Sequence, residues 1–168
     1  MQGLSGPSER RDRDATGRPR NARVRDRLGR PLARSAGSAE AEDEPALPPA
    51  EALVKAQQLL DAGAPFTAHE VLEAVWKAPG TAGEERGLWR GLAQLAVGVT
   101  HGLRGNQAGA RALLDRAAES LAGFAGSSPY DVDVDGLRSW AASTAADAAA
   151  LEVLPRLTRP GGAPGTVG

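Results

Sequence analysis

From residue 50 onward, apolar side chains recur every three to four residues, which is the period of an amphipathic α-helix. Five such stretches follow one another, and glycine, proline and small polar residues separate them. No stretch alternates apolar and polar residues at the period of a β-strand. The pattern predicts an all-α fold, a compact bundle of about five antiparallel helices. The predicted helices begin near Ala50, Pro65, Glu84, Asn106 and Asp135.

The sequence on either side of residues 48–156 lacks this periodicity. Residues 1–47 consist of an Arg-rich arm followed by a small, acidic, proline-bearing linker, and residues 157–168 are rich in glycine and proline. We therefore expect the bundle to occupy residues 48–156. The arm is expected to be disordered or loosely docked, and the tail to be flexible.

The formal net charge of −1 hides an uneven distribution of charge along the chain. Residues 1–34 carry ten Arg against four acidic residues, whereas the remainder has a net charge of −7. A basic arm is typical of nucleic-acid binding, but acids interrupt this one and it has no aromatic side chain to stack on bases. Nucleic acid is therefore a disfavoured partner. The alternative is that the arm lies back on the acidic body of its own chain.

Several classes of chemistry are excluded by residues that the chain lacks. Cysteine is absent, which removes disulfides, thiolate metal sites and cysteine nucleophiles. No phosphate-binding glycine loop, dinucleotide fingerprint or nucleophile elbow occurs. The sequence begins without an apolar signal segment, and no stretch approaches the roughly 18 apolar residues of a membrane span. We expect a soluble, cytoplasmic protein that does not engage a membrane.

Polar chemistry is concentrated in the second predicted helix, where residues 66–77 read FTAHEVLEAVWK. His69, Glu73 and Trp76 fall at positions i, i+4 and i+7, so a helix places them along one side. Glu70 lies next to them in the sequence. His69 is one of only two histidines in the chain. The stretch is therefore the first candidate for a functional site.

The third predicted helix, EERGLWRGLAQLAVGVTHGL, carries a stripe of glycines beside its apolar face. Each glycine costs a helix about 0.8–1 kcal/mol relative to alanine, so their alignment needs a physical reason. We interpret the stripe as a groove in which a neighbouring backbone packs unusually close. The stripe consists of Gly87, Gly91, Gly98 and Gly102.

A polar stripe of Arg90, Gln94 and His101 borders this glycine groove. If the preceding helix runs antiparallel along the groove, the polar stripe comes opposite His69 and Glu73. Glu73 could then form an ion pair with Arg90. The two helices are predicted to enclose one polar cleft, lined by His69, Glu70, Glu73, Trp76, Arg90, Gln94 and His101.

These two helices together resemble a known family. FTAHEVLEAVWK and the later segment WRGLAQLAVGVTHGLRGNQAGARALL are similar to the small bacterial helical family catalogued as domain of unknown function 309. The hallmark of that family is an AHE-x-x-E-x-x-W helix followed by a GL-x-Q…H…GN segment. The resemblance implies an all-helical fold and no established biochemical activity. The matching positions are His69, Glu70, Glu73, Trp76, Arg90, Gly91, Gln94, His101, Gly105 and Asn106.

Two functions remain open for the predicted cleft. In the first, the protein is a binding or scaffolding module without a cofactor, and the cleft receives a small polar ligand or a segment of protein. In the alternative, it is a metal-dependent hydrolase-like enzyme in which His69, Glu73 and His101 ligate a divalent metal, with Glu70 as base. A polar network that only fixes helix register would explain the same residues. An alanine-rich bundle surface is also compatible with a homodimer.

The sequence Asp131, Asp133, Asp135, Gly136 matches the first half of a calcium-binding EF-hand loop. The twelfth position of that loop requires a bidentate Glu, and here it is Ala142. We therefore interpret this segment as a turn in which Asp135 starts the last helix.

Overall fold

The computed structural model of the 168-residue chain describes residues 26–30, 45–147, 151 and 153–159. Five α-helices and one short 3-10 helix occur within these ranges, while strand pairing there is limited to one isolated bridge between Val132 and Thr158. The all-α prediction is therefore confirmed. The helices are α1 Pro49–Asp61, α2 Pro65–Lys77, α3 Arg86–Leu103, α4 Gln107–Ala122 and α5 Val134–Ala146, with the 3-10 helix at Pro129–Asp131.

Local sequence sets the starts of α1, α2 and α4. Proline occupies the first turn of both α1 and α2, where its missing N–H would have no partner inside the helix. Helix α4 begins after Asn106, whose side-chain oxygen accepts a hydrogen bond from the Gly109 N–H at 3.0 Å. This confirms the predicted N-cap of α4. Gly105 precedes it with φ +77°, a conformation in which glycine avoids the strain of a Cβ.

Helix α5 starts at a different aspartate from the one that we predicted. Asp133 is the N-cap, because its carboxylate accepts a hydrogen bond from the Gly136 N–H at 3.2 Å. The choice of Asp135 was therefore wrong. The Asp135 carboxylate instead accepts a hydrogen bond from the Gly126 N–H at 3.1 Å, which ties α5 to the end of α4.

Each helix packs against the one before it and the one after it, so that short connections join a series of antiparallel hairpins. Helix α3 lies in the middle of this series and contacts α2 on one side and α4 on the other. Small alanines let the helices approach closely, and leucines fill the interior. The fully buried apolar side chains of α3 are Leu88, Trp89, Leu92, Leu95, Ala96 and Val99.

The glycine stripe of α3 packs closely, as predicted, but against α4, so the condition for the predicted cleft, that α2 packs along the glycines, is not met. A Cβ on Gly91 would lie 2.8 Å from Leu121 Cγ, and a Cβ on Gly98 would lie 2.8 Å from Leu114 Cδ2. Both leucines belong to α4. A glycine stripe shows that some backbone or side chain packs closely, but it does not show which of two neighbouring helices does so.

The segment 153–159 is part of the folded body. Leu157 is fully buried, and its N–H donates a hydrogen bond to Gln57 Oε1 of α1 at 2.8 Å. The Leu157 carbonyl accepts from the Asp133 N–H at 3.0 Å. The prediction of a flexible tail from residue 157 was therefore wrong for its first three residues, and residues 160–168 lie outside the described ranges.

Candidate functional site

On α2, the structure brings together His69 and Glu73, as the sequence predicted. His69 Nε2 lies 3.7 Å from Glu73 Oε2, one helical turn away. The cation beside Glu73 is Lys77, whose Nζ lies 2.8 Å from Glu73 Oε1. No ion pair between Glu73 and Arg90 occurs among the described contacts, and Arg90 is exposed on α3.

The fold controls the protonation of His69. Its side chain is only 19% exposed, and this burial lowers the pKa of the imidazole below its ordinary value, because the charged form loses water. The Glu73 carboxylate and the backbone of Ala93 act in the opposite direction, and the Lys77 ammonium adds to the lowering. His69 is therefore a neutral imidazole near neutral pH. Its buried Nδ1 has no hydrogen-bond partner within the described part of the chain.

The polar stripe on α3 forms, but it lies on the side of the helix between its two neighbours. Arg90, Gln94 and His101 are spaced at i, i+4 and i+11 and so share one face. Gln94 Oε1 accepts a hydrogen bond from the Ser120 hydroxyl of α4 at 2.8 Å. Next to Gln94, the backbone of Ala93 lies beside His69 of α2. The stripe is thus part of an outer surface across α2, α3 and α4, and is not enclosed between α2 and α3.

His101 belongs to the corner between α3 and α4. Its Nδ1 lies 2.8 Å from Asn106 Nδ2, while the other end of that amide caps α4 through the Gly109 N–H. With the amide in this orientation, Asn106 donates to the imidazole, and His101 Nδ1 accepts. The same side chain therefore joins the end of α3 to the start of α4. This contact gives His101 a structural role at the helix junction.

The contacts divide the predicted cleft residues into two groups. His69 and Glu73 lie together on α2, whereas Gln94 and His101 are tied to α4. Among the residues that the structure describes, no three His, Asp or Glu side chains are grouped closely enough to hold a metal ion. The alternative ligand set of His69, Glu73 and His101 is therefore not brought together.

The two remaining candidates on α2 differ in burial. Glu70 is exposed on the outer side of the helix. Trp76 is partly buried against the core, and its carbonyl lies 3.4 Å from an Arg86 guanidinium nitrogen that donates to it. Trp76 therefore helps to hold the α2–α3 connection.

The sequence left open that the arm lies back on the body of its own chain, but it did not indicate Phe66 as the contact or residues 26–30 as the segment that packs there. Residues 26–30 of the arm form a tight turn, and Gly29 in that turn is buried against the Phe66 ring. Phe66 in turn contacts His69, with ring centroids 5.8 Å apart and ring planes at 56°. The available signal was an Asp three residues before a Gly in the sequence DRLG, a spacing typical of a turn.

These contacts describe a small all-α protein in which a series of hairpins carries a polar surface over α2 and α3. A family model described as "Domain of unknown function (DUF309)" matches residues 53–113, from within α1 to within α4. This match confirms the family resemblance that the two motifs indicated. The matched region contains every candidate cleft residue, while the turn at residues 26–30 and helix α5 lie outside it.

No curated protein and no solved structure gives a significant match to the chain. Among the described residues, the helices are too short or too polar for any of them to cross a bilayer. The chemistry of the surface must therefore be argued from its own side chains.

Proposed function

We propose that this protein is a binding module whose surface over α2 and α3 receives a segment of protein chain. We define the α2–α3 surface by Phe66, His69, Glu73 and Gln94, with the exposed Arg90 at its edge. The observation that supports this proposal is the seating of residues 26–30 on Phe66, because a turn of polypeptide buries its glycine there. A polypeptide segment is thus favoured over a small polar ligand.

The side chains of the α2–α3 surface suit such a ligand. Phe66 supplies an apolar contact, and the neutral imidazole of His69 can accept or donate a hydrogen bond without the cost of burying a charge. Arg90 is exposed at the edge of this surface, and binding there does not require its guanidinium. Glu73 is already paired with Lys77, so its charge is partly neutralised. The combination favours a segment that places one small or apolar residue on Phe66 and polar groups against the side chains around it.

A photo-crosslinking experiment in the source cell tests the proposal. A benzoylphenylalanine placed at Arg90 in the full-length protein should yield an adduct with a partner protein. The control places the same residue at Arg116, which is also exposed but lies on α4. The adduct should be specific to position 90 and should be lost when His69→Ala and Glu73→Ala are added.

Circular dichroism and thermal melting establish that the double variant remains folded. Equal adducts from positions 90 and 116, or an adduct that persists in the folded double variant, would contradict binding at the α2–α3 surface.

A further inference from the structure

One carboxylate organises the turn formed by Asp26–Arg30. Asp26 Oδ1 accepts hydrogen bonds from the Leu28 N–H at 2.9 Å and from the Arg30 N–H at 2.8 Å. The Asp26 backbone closes the turn, since its carbonyl accepts from the Gly29 N–H at 2.7 Å and its N–H donates to the Arg30 carbonyl at 2.9 Å. All four bonds lie within residues 26–30, so they do not need the bundle as a partner, and they reduce the chain entropy that docking costs.

Gly29 is required in this turn for two separate reasons. Its φ is +73°, in the left-handed region that residues with a Cβ rarely adopt. In addition, a Cβ at this position would overlap the ring of Phe66. The glycine backbone therefore lies directly on the aromatic ring, and Phe66 accepts a turn only if the residue facing it has no side chain.

The charges around the turn fit the end of the bundle where it docks. Phe66 stands at the start of α2, and Arg104 follows the end of α3. The hydrogen bond from the Arg30 N–H lowers the pKa of Asp26 most, and desolvation partly opposes this effect. The Leu28 N–H and the charge of Arg30 lower the pKa further, and the charge of Arg104 makes the smallest contribution in the same direction. The carboxylate that holds the turn is thus ionised.

We propose that Phe66 is the centre of a docking site for a turn with Asp at its first position and Gly at its fourth, occupied by Asp26–Arg30 of the same chain. This inference rests on the proposed function, because the docked turn covers Phe66 beside His69 and so competes with a protein partner for the α2–α3 surface. The 18 residues from 31 to 48 separate the turn from the start of α1 at Pro49 in sequence. When extended they reach about 60–65 Å, which is sufficient for docking within one chain.

The first test compares two glycines with the same backbone conformation. Gly126 also has φ +73°, but a Cβ there would meet no atom within 4 Å. The variants Gly29→Ala and Gly126→Ala therefore carry a similar backbone strain, and only the first clashes with an aromatic ring. In full-length protein we expect contacts between Gly29 and Phe66 protons, seen by nuclear Overhauser effects, to vanish in Gly29→Ala and to remain in Gly126→Ala.

Proteolysis gives a second measurement on the same variants. The Arg27–Leu28 bond should be cut by trypsin about tenfold faster in Gly29→Ala than in the wild type, since cleavage requires the undocked turn. Asp26→Ala should behave like Gly29→Ala, whereas Asp26→Asn, which keeps an acceptor oxygen, should resemble the wild type. Equal cleavage rates in all variants would overturn the docked turn.

A peptide experiment separates docking within one chain from exchange between two copies. The peptide of residues 20–36 is titrated into full-length Asp26→Ala protein, and the same peptide with Gly29→Ala is the control. We expect only the first peptide to shift the Phe66 and His69 resonances, and to bind wild-type protein at least about tenfold more weakly. Equal affinity for both proteins, or a wild-type dimer that the Asp26→Ala change dissociates, would overturn occupancy by the chain's own turn.

The crosslinking experiment distinguishes this inference from the proposed function. If the turn competes with a partner, the adduct from position 90 should increase in Gly29→Ala and stay unchanged in Gly126→Ala. If the turn docks as expected and no adduct forms in any variant, the proposed function fails while the docking site stands. An adduct that is equally abundant in wild type and Gly29→Ala would overturn the competition.

Discussion

At the scale of single residues, the titratable side chain of His69 lies between an apolar ring, Phe66, and a carboxylate, Glu73. The Phe66 ring lies against the imidazole, and the Glu73 carboxylate lies on its other side, one turn along the helix. Burial opposes the charge on His69 more strongly than Glu73 favours it, so the pKa of His69 is lowered. Protonation of this residue therefore opposes folding.

The pH dependence of stability follows from the direction of that shift. Because the folded pKa lies below the unfolded value of about 6.5, the unfolded chain binds the proton more readily. The contribution of neutral His69 to the free energy of unfolding is therefore fully present above about pH 6.5. It is lost as the pH falls below that value toward the folded pKa. We predict that His69→Gln loses less free energy of unfolding than the wild type between about pH 7.5 and pH 5, as measured by urea denaturation.

The matched control for this experiment is His101→Gln, which leaves His69 and Glu73 in place. We expect this variant still to lose the part of the free energy of unfolding that protonation of His69 removes at low pH. The prediction would be refuted if His69→Gln lost as much free energy of unfolding between about pH 7.5 and pH 5 as the wild type.

At the scale of helices, the contact between α3 and α4 depends on glycine at specific positions. A Cβ on Gly98 would meet the fully buried Leu114 side chain at 2.8 Å and the Leu114 backbone nitrogen at 3.4 Å. A Cβ on Gly87 would meet Phe124 Cε2 at 3.2 Å, and Phe124 is only partly buried. The neighbour of Gly87 can therefore move aside, whereas the neighbour of Gly98 cannot.

We predict opposite effects for two otherwise identical substitutions in α3. Gly98→Ala gains about 0.8–1 kcal/mol of helix propensity but loses about 1–3 kcal/mol to overpacking, so the protein should be destabilised by about 1 kcal/mol. Gly87→Ala should be neutral or stabilising by up to about 1 kcal/mol. Guanidinium denaturation of both variants measures the difference. If Gly98→Ala proves as stable as Gly87→Ala, the Leu114 side chain can move to accommodate a Cβ at position 98, and the contact between α3 and α4 does not require glycine there.

The start of α5 provides a second prediction at this scale. Asp133 caps the helix, and its only described ion pair, with Arg159 at 3.8 Å, lies at the surface and contributes little. Asp133→Ala should therefore lower the free energy of unfolding by about 1 kcal/mol, the usual value of an N-cap. Asp133→Asn keeps the accepting oxygen and should be close to the wild type. Equal losses in the Ala and Asn variants would show that charge, and not capping, stabilises α5.

At the scale of the whole molecule, periodicity was sufficient to predict the number and order of the helices, because amphipathic spacing is a local property. The pair His69 and Glu73 was predictable for the same reason. Contacts between elements were not predictable. Gln94 faces α4 because the glycine stripe packs there, and nothing in the stripe itself distinguishes α4 from α2.

The two ends of the chain show a different limit of sequence reasoning. A Gly- and Pro-rich composition suggested a flexible tail, but a single buried leucine, Leu157, attaches its beginning to the bundle. In the arm, the turn at residues 26–30 depends on a contact with Phe66, far along the chain. Composition describes the average behaviour of a segment, so it misses one residue that packs.

The C-terminal segment links the first helix to the start of the last, and its contribution to stability can be measured. Leu157 is 0% exposed, and it bonds through its backbone to Gln57 of α1 and to Asp133 before α5. Leu157→Ala should lower the free energy of unfolding by about 2–4 kcal/mol, because it removes buried methyl groups and leaves a cavity. Val153 lies in the same segment but is 73% exposed, so Val153→Ala should change stability by less than about 0.5 kcal/mol.

Urea denaturation of the two variants decides whether the segment belongs to the cooperative fold. A large loss in Leu157→Ala with an unchanged dependence on urea means that the segment unfolds together with the bundle. If the two variants are equally stable, the segment detaches before the helices unfold and contributes nothing to global stability. In that case the packing of α1 and α5 in the core would not depend on Leu157. The hydrogen bond between Leu157 and Gln57 would then be a local contact without effect on global stability.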